Sequence, residues 1–161
     1  LSLATIQYKW TFSTSFAERM DRVSKMNVKE AADGDVLQVG CVYIAPGDYH
    51  LKLEKVGTRL VCRLDQGPPI NRHRPAVDAL FDSIVDIAGA RTTAVVLTGM
   101  GADGAKGLLN LKQAGAKTFA QDEKTSVVWG MPRAAMELGA ADKAVPLEQV
   151  ADVLMRSVIK R

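Results

Sequence analysis

The residues best placed to do chemistry stand in one short turn, Thr98-Gly99-Met100-Gly101-Ala102-Asp103-Gly104. The β-favouring run Val95 to Thr98 leads into it, and an Ala/Leu/Lys-rich run that reads as helix follows. A carboxylate at Asp103 has two uses there. It can cap the helix, or it can orient an imidazole and stabilise the imidazolium formed during acyl transfer. The same glycines, Gly99, Gly101 and Gly104, also fit the G-x-G-x-x-G dinucleotide fingerprint, with Asp122 near the place of a ribose-binding acid. Asp103 argues against a nucleotide, because it puts a negative charge where the pyrophosphate must meet the helix N-terminus.

Acyl chemistry by this route needs a nucleophile and a base. No serine in the chain stands in a G-x-S-x-G turn between strand and helix, and Ser13 and Ser15 read as helix-cap residues. The two histidines are His50, after "APGDY", and His73, in "NRHRP". A half-exposed strand position accounts for His50. A loop that shapes a substrate mouth or braces its neighbours accounts for His73.

The elements that must position these residues follow from periodicity and punctuation. Leu3 to Gln7 reads as a buried strand. "SFAERMDRVSKM" is a helix whose Ser15 and Glu18 form a capping box. Residues 28–64 carry short alternating segments broken at Asp33-Gly34, Pro46-Gly47 and Gly57, which predicts an antiparallel excursion with a hairpin over Lys55 to Thr58. "GPPINRHRP" is a proline-bounded loop. A helix runs from Val77 to near Gly89. Strand (Thr93 to Thr98), helix (Ala105 to Gln113, closed by Gly115), strand (Lys117 to Ala120), helix (from Met131) and a last helix opened by Pro146 complete the order. Alternation of this kind predicts an α/β fold: a doubly wound, mostly parallel sheet with helices on both faces and a small antiparallel hairpin excursion.

The 161 residues suit one domain, 1–161, with room for a core. The chain is 47% hydrophobic and 24% charged, and its 21 basic against 18 acidic residues form no dense basic tract, so no nucleic-acid partner is expected. Cys41 and Cys62 match neither zinc nor disulfide spacing and read as buried free thiols of a reducing compartment. No apolar run approaches the roughly 18 residues of a membrane span, and "LSLATIQYKW" lacks a signal-peptide pattern. The expectation is a cytoplasmic protein without membrane insertion.

Seven segments, in order, carry a resemblance: "SFAERMD", "VKEAADGD", "YIAPGDYHL", "GPPINRHRPAVDALFDSI", "VVLTGMGADGAKGL", "QDEKTSVVWGMPRAAMELGAAD" and the closing helix. Together they resemble the catalytic domain of the bacterial chemotaxis receptor methylesterases, the protein-glutamate methylesterases that also deamidate receptor glutamines. The resemblance implies hydrolysis of glutamate methyl esters on receptor signalling helices, with release of methanol, by a Ser-His-Asp triad and without metal or organic cofactor. It also implies an N-terminal receiver domain in the full-length protein. It assigns Asp103 as the triad acid and the backbone N–H of Met100 as an oxyanion donor. Such donors contribute about 2.7–4 kcal/mol each.

The chain departs from the family in two places. The family's G-A-S-T-G-G nucleophile turn does not occur, and the position of the family's histidine falls on Tyr8 of "IQYKW" when aligned from Gln7, or on Gln7 itself when counted back from Phe12. A tyrosine, with a reference pKa near 10, is a poor base at neutral pH. The chain therefore reads as a catalytic domain lacking its N-terminal nucleophile segment and inactive by itself. The alternative is a catalytically inactive module that binds receptor helices or another protein partner.

Overall fold

The computed structural model describes residues 2–4 and 12–159, and the chain forms two compact units, residues 1–83 and 84–161.

The first unit contains β1 (Ser2–Ala4), α1 (Ser13–Val23), β2 (Asn27–Glu30), β3 (Cys41–Ile44), β4 (His50–Val56) and β5 (Arg59–Asp65). Its three-stranded sheet has the order β1-β3-β2 and is parallel throughout. Ala17, Val28 and Ile44 form a small core there, against which Phe16, Met20 and Val42 pack, so the helical spacing read in the sequence does place α1 on the sheet. The expected capping box does not form. The helix starts earlier than the motif requires, so Ser15 lies inside its first turn and donates its hydroxyl to Phe12 O at 3.2 Å, while Ser13 Oγ accepts from Gly47 N at 3.0 Å.

The antiparallel reading of residues 28–64 also needs correction. β2 and β3 pair in parallel, from Asn27 with Cys41 to Glu30 with Ile44. The connection between them runs back along β5, with Gly34 N donating to Cys62 O, Leu37 N to Leu60 O, and Val36 bridging Val61 antiparallel. That return resets the chain direction before β3 begins. The turn signals were real, but they mark this detour. Antiparallel pairing is otherwise that of β4 with β5, a hairpin closed from Val56 to Arg59 through Gly57, whose φ of 60° suits a residue without Cβ.

α2 (Val77–Ala88) follows the proline-rich loop. It is held to the hairpin by Ser83 Oγ, which accepts from Leu53 N at 2.8 Å.

The second unit contains β6 (Thr93–Val96), α3 (Ala105–Gln113), β7 (Lys117–Gln121), α4 (Met131–Glu137), β8 (Lys143–Val145) and α5 (Val150–Ile159). Its sheet, β6-β7-β8, is parallel. Val95, Phe119 and Val145 line an apolar crevice with Val150, Val153 and Leu154 of α5. Ala94, Val96 and Ala120 alternate with them, face the other side of the pleat and are buried. Leu108 and Leu111 bury the inner face of α3 completely. Gly115, at φ 92°, ends α3 by donating to Lys112 O while Ala116 N reaches Leu111 O. The sequence reading has no β8, and it starts the last helix at Pro146. The structure instead has a 3-10 turn over Leu147–Gln149 before α5. The α/β class stands.

Candidate active site

In parallel α/β units the carboxyl ends of the strands are where sites are assembled. β6 ends at Val96, and the chain then turns through Leu97–Gly104 into α3. This turn is fixed against the segment that precedes α4. Thr98 Oγ1 donates to Val128 O at 3.0 Å and accepts from Val128 N at 2.9 Å. Gly99 N donates to the same carbonyl at 3.0 Å, Met131 N donates to Gly99 O at 2.8 Å, and Gly99 bridges Trp129 in parallel. The approach is close enough to require glycine at position 130. A Cβ there would lie 2.7 Å from Gly99 O and 3.0 Å from Gly101 N.

Bracing on both sides leaves a short arc, Met100 to Asp103, presented at the sheet edge. Met100 is 79% exposed. Its backbone N–H has no acceptor among the described residues. Asp103 is only 1% exposed. Gly104 follows it at φ 90° as the N-cap of α3, a conformation that favours glycine. The carboxylate thus sits buried beside the start of a nine-residue helix, where the helix dipole favours negative charge. A pyrophosphate would need that same place, so the glycines here serve the bend.

Asp103 and Met100 are therefore brought onto one rigid loop. Tyr8, the third position singled out in the sequence, lies outside the described residues. His50 is fully buried, not half-exposed: Ala76 N donates to its Nδ1 at 3.2 Å, and its Nε2 donates to Pro68 O at 3.0 Å. Both ring nitrogens are thereby engaged, and no lone pair is left for base chemistry. In "NRHRP" it is Arg74 that braces the neighbouring loops, through Asp48 Oδ1 at 2.6 Å and the carbonyls of Gln66 and Gly67 at 3.0 Å.

The two thiols are free and buried. Burial, reinforced by Asp35 and opposed by Lys29, pushes the Cys62 thiol up to about 12, so it is no nucleophile.

Sequence reasoning missed Gln121 and Gly130 as parts of this arrangement, and it did not read the clamping role of Thr98. Gln121 Oε1 accepts from Thr98 N at 2.8 Å. The available signal was "VVWGMP", a glycine placed immediately before a helix that opens with Met131-Pro132. A glycine there has no need of unusual φ, so close approach of another backbone is the remaining reason for it.

Comparison with known proteins agrees with this geometry. The CheB methylesterase family model matches residues 3–154. A protein-glutamate methylesterase/protein-glutamine glutaminase of Hahella chejuensis is 59% identical over 145 residues, covering 90% of this chain and 40% of that protein. One from Xanthomonas oryzae pv. oryzae is 55% identical with the same coverage. The chain thus spans about 40% of the length of these curated relatives. A crystal structure of the Thermotoga maritima CheB methylesterase catalytic domain matches with a TM-score of 0.94 at 40% identity, covering 97% of this chain and 82% of that one. With a buried carboxylate and an unengaged amide on the loop after β6, and with this match over nearly its whole length, the chain belongs to the CheB methylesterase family.

Proposed function

We propose that this chain is the catalytic part of a chemotaxis protein-glutamate methylesterase, which hydrolyses glutamate methyl esters on receptor helices to glutamate and methanol and deamidates receptor glutamine. The observation that carries the reading is the braced turn that holds a buried Asp103 and an unengaged Met100 N–H on one arc. In the mechanism a serine oxygen attacks the ester carbonyl while an imidazole takes its proton. Asp103 holds that imidazole and stabilises it once charged. The Met100 N–H donates to the oxygen on which negative charge develops. Methanol leaves with the proton from the imidazolium, and water then releases the glutamate from the acyl-enzyme. With glutamine as substrate, ammonia is the leaving group. No step calls on a metal or organic cofactor.

The partners implied are the methylated cytoplasmic helices of chemoreceptors and a receiver domain ahead of this region, working in the cytoplasm. Among the described residues no helix is long and apolar enough to cross a membrane.

Methanol release from methylated receptor by the full-length gene product tests the reading. Release that stops when receptor methylation is exhausted is expected. A folded full-length protein that releases none overturns it. The 161-residue chain by itself, with Tyr8 or Gln7 where the family has histidine and no G-x-S-x-G turn, is expected to release none.

A further inference from the structure

Gln121 closes β7 and is fully buried. A buried primary amide is costly unless its polar atoms are paired, and here they are. Oε1 accepts from Thr98 N at 2.8 Å, and Nε2 donates to Thr125 O at 2.8 Å and to Thr125 Oγ1 at 3.3 Å. These partners fix the orientation of the amide, since a flipped group would set NH2 against N–H and oxygen against oxygen.

The residues on either side are not arbitrary. Thr98 opens the turn that carries Met100 and Asp103. Thr125 opens the segment that grips Gly99 from the other side, and it is anchored in turn. Its N–H donates to Asp122 Oδ1 at 3.0 Å, and its Oγ1 accepts from Leu147 N at 3.0 Å, just beyond β8. Gln121 therefore ties the loop that leaves β6 to the one that leaves β7, and Thr125 carries the tie on to the residue after β8.

Leucine or methionine would fill the same space. An amide is required there only if its three hydrogen bonds matter.

We propose that Gln121 is a positioning residue for the esterase reaction, setting the Met100 N–H through Thr98 and the 125–130 segment. The proposal rests on the esterase reading above. Misplacing a donor by about an ångström costs as much as 100-fold in rate. Gln121→Leu in the full-length protein should therefore lower kcat for receptor demethylation by about 10- to 100-fold, with KM within about twofold.

Gln121→Glu supplies a readout that a purely structural role would not move. Its carboxylate still accepts from Thr98 N but has no proton for Thr125 O, whereas the neutral acid has one. Burial at this position raises the carboxyl of a glutamate above its ordinary range, so the ratio of Q121E to wild-type kcat should rise as pH falls from 8 to 6. A Q121L kcat within twofold of wild type in folded protein, or a Q121E ratio flat with pH, overturns the proposal. If Q121L fails to fold, the Q121E ratio decides alone.

Amide hydrogen exchange separates this proposal from the reading beneath it, since it needs no activity. Loss of the clip should speed exchange at Thr98 and Gly99 at least tenfold and leave Leu108 and Leu111 in α3 unchanged. Equal protection at Thr98 in Q121L and wild type sinks the clip even where methanol is released. Absence of methanol from wild type sinks only the esterase reading.

Discussion

Replacing Gly130 by alanine should damage catalysis through a residue that touches no substrate. Gly130 has φ −97° and ψ −68°, a region open to alanine, so the backbone itself raises no objection. By that measure alone the substitution would stabilise by about 0.4–1 kcal/mol through the unfolded chain. The new methyl carbon, however, would lie 2.7 Å from Gly99 O, 3.0 Å from Gly101 N and 3.3 Å from Gly101 O. All three are backbone atoms and cannot rotate away, so the 99–101 arc must move by several tenths of an ångström. Overpacking of this kind costs about 1–3 kcal/mol, and the clash wins.

The net expectation is a loss of about 1–2 kcal/mol, seen as a fall of about 2–8 °C in Tm. The arc that moves carries the Met100 N–H, and full loss of one such donor lowers kcat about 10²–10³-fold. A partial displacement should cost about tenfold or more. Methanol release from methylated receptor, measured well below the Tm of the variant, reads the effect in kcat. Wild-type kcat together with wild-type Tm in Gly130→Ala would refute the claim that this close approach sets the loop.

Cys62 should stay unlabelled by a thiol-specific disulfide reagent at pH 8 in native protein and react promptly in urea, because its thiol is buried and shifted to about 12; rapid native labelling would contradict this. Asp142 should contribute to acid stability. Burial would raise its carboxyl, but the Thr118 N–H, 3.0 Å from Oδ2, and the Lys112 ammonium outweigh that and hold it below the ordinary carboxylate range. Its contribution is therefore complete above the unfolded value near 3.9 and is lost as pH falls through the lower folded value. Asp142→Asn should flatten the fall in urea stability between about pH 5 and 2, by a modest amount since the Lys112 pair is part-exposed and worth less than about 1 kcal/mol. Parallel curves for the two proteins would contradict it.

The strand–turn–helix around Asp103 was legible because its signals are local: four β-favouring residues, three glycines and an amphipathic run within about 20 positions. The β4–β5 hairpin was legible for the same reason, through Gly57. What escaped the sequence was set by contacts between distant positions. The parallel pairing of β2 with β3 depends on a detour along β5. β8 has three residues, too few to show a period, and owes its place to Phe119, Ala120 and Gln121 of β7. His50 looks like a strand-end polar residue until Pro68 and Ala76 close over it. The clamp on the Met100 turn joins Thr98 to Gln121 and Val128, 23 and 30 residues away. Ser15 and Glu18 had the right spacing for a cap, but a helix start set by Ser13 and Gly47 overrode it. The proposed roles of Asp103 and Met100 rest on long motifs in a fixed order, whereas the bracing around them is set by contacts between distant residues.

The most direct test is the rate of methanol release by the full-length protein with Asp103→Asn. Asparagine preserves shape and removes the charge that holds and stabilises an imidazolium. The account predicts a fall in kcat of about 10⁴-fold, with receptor still bound. A variant that demethylates receptor at the wild-type rate would contradict it, because the turn after β6 would then hold its carboxylate for some purpose other than acyl transfer.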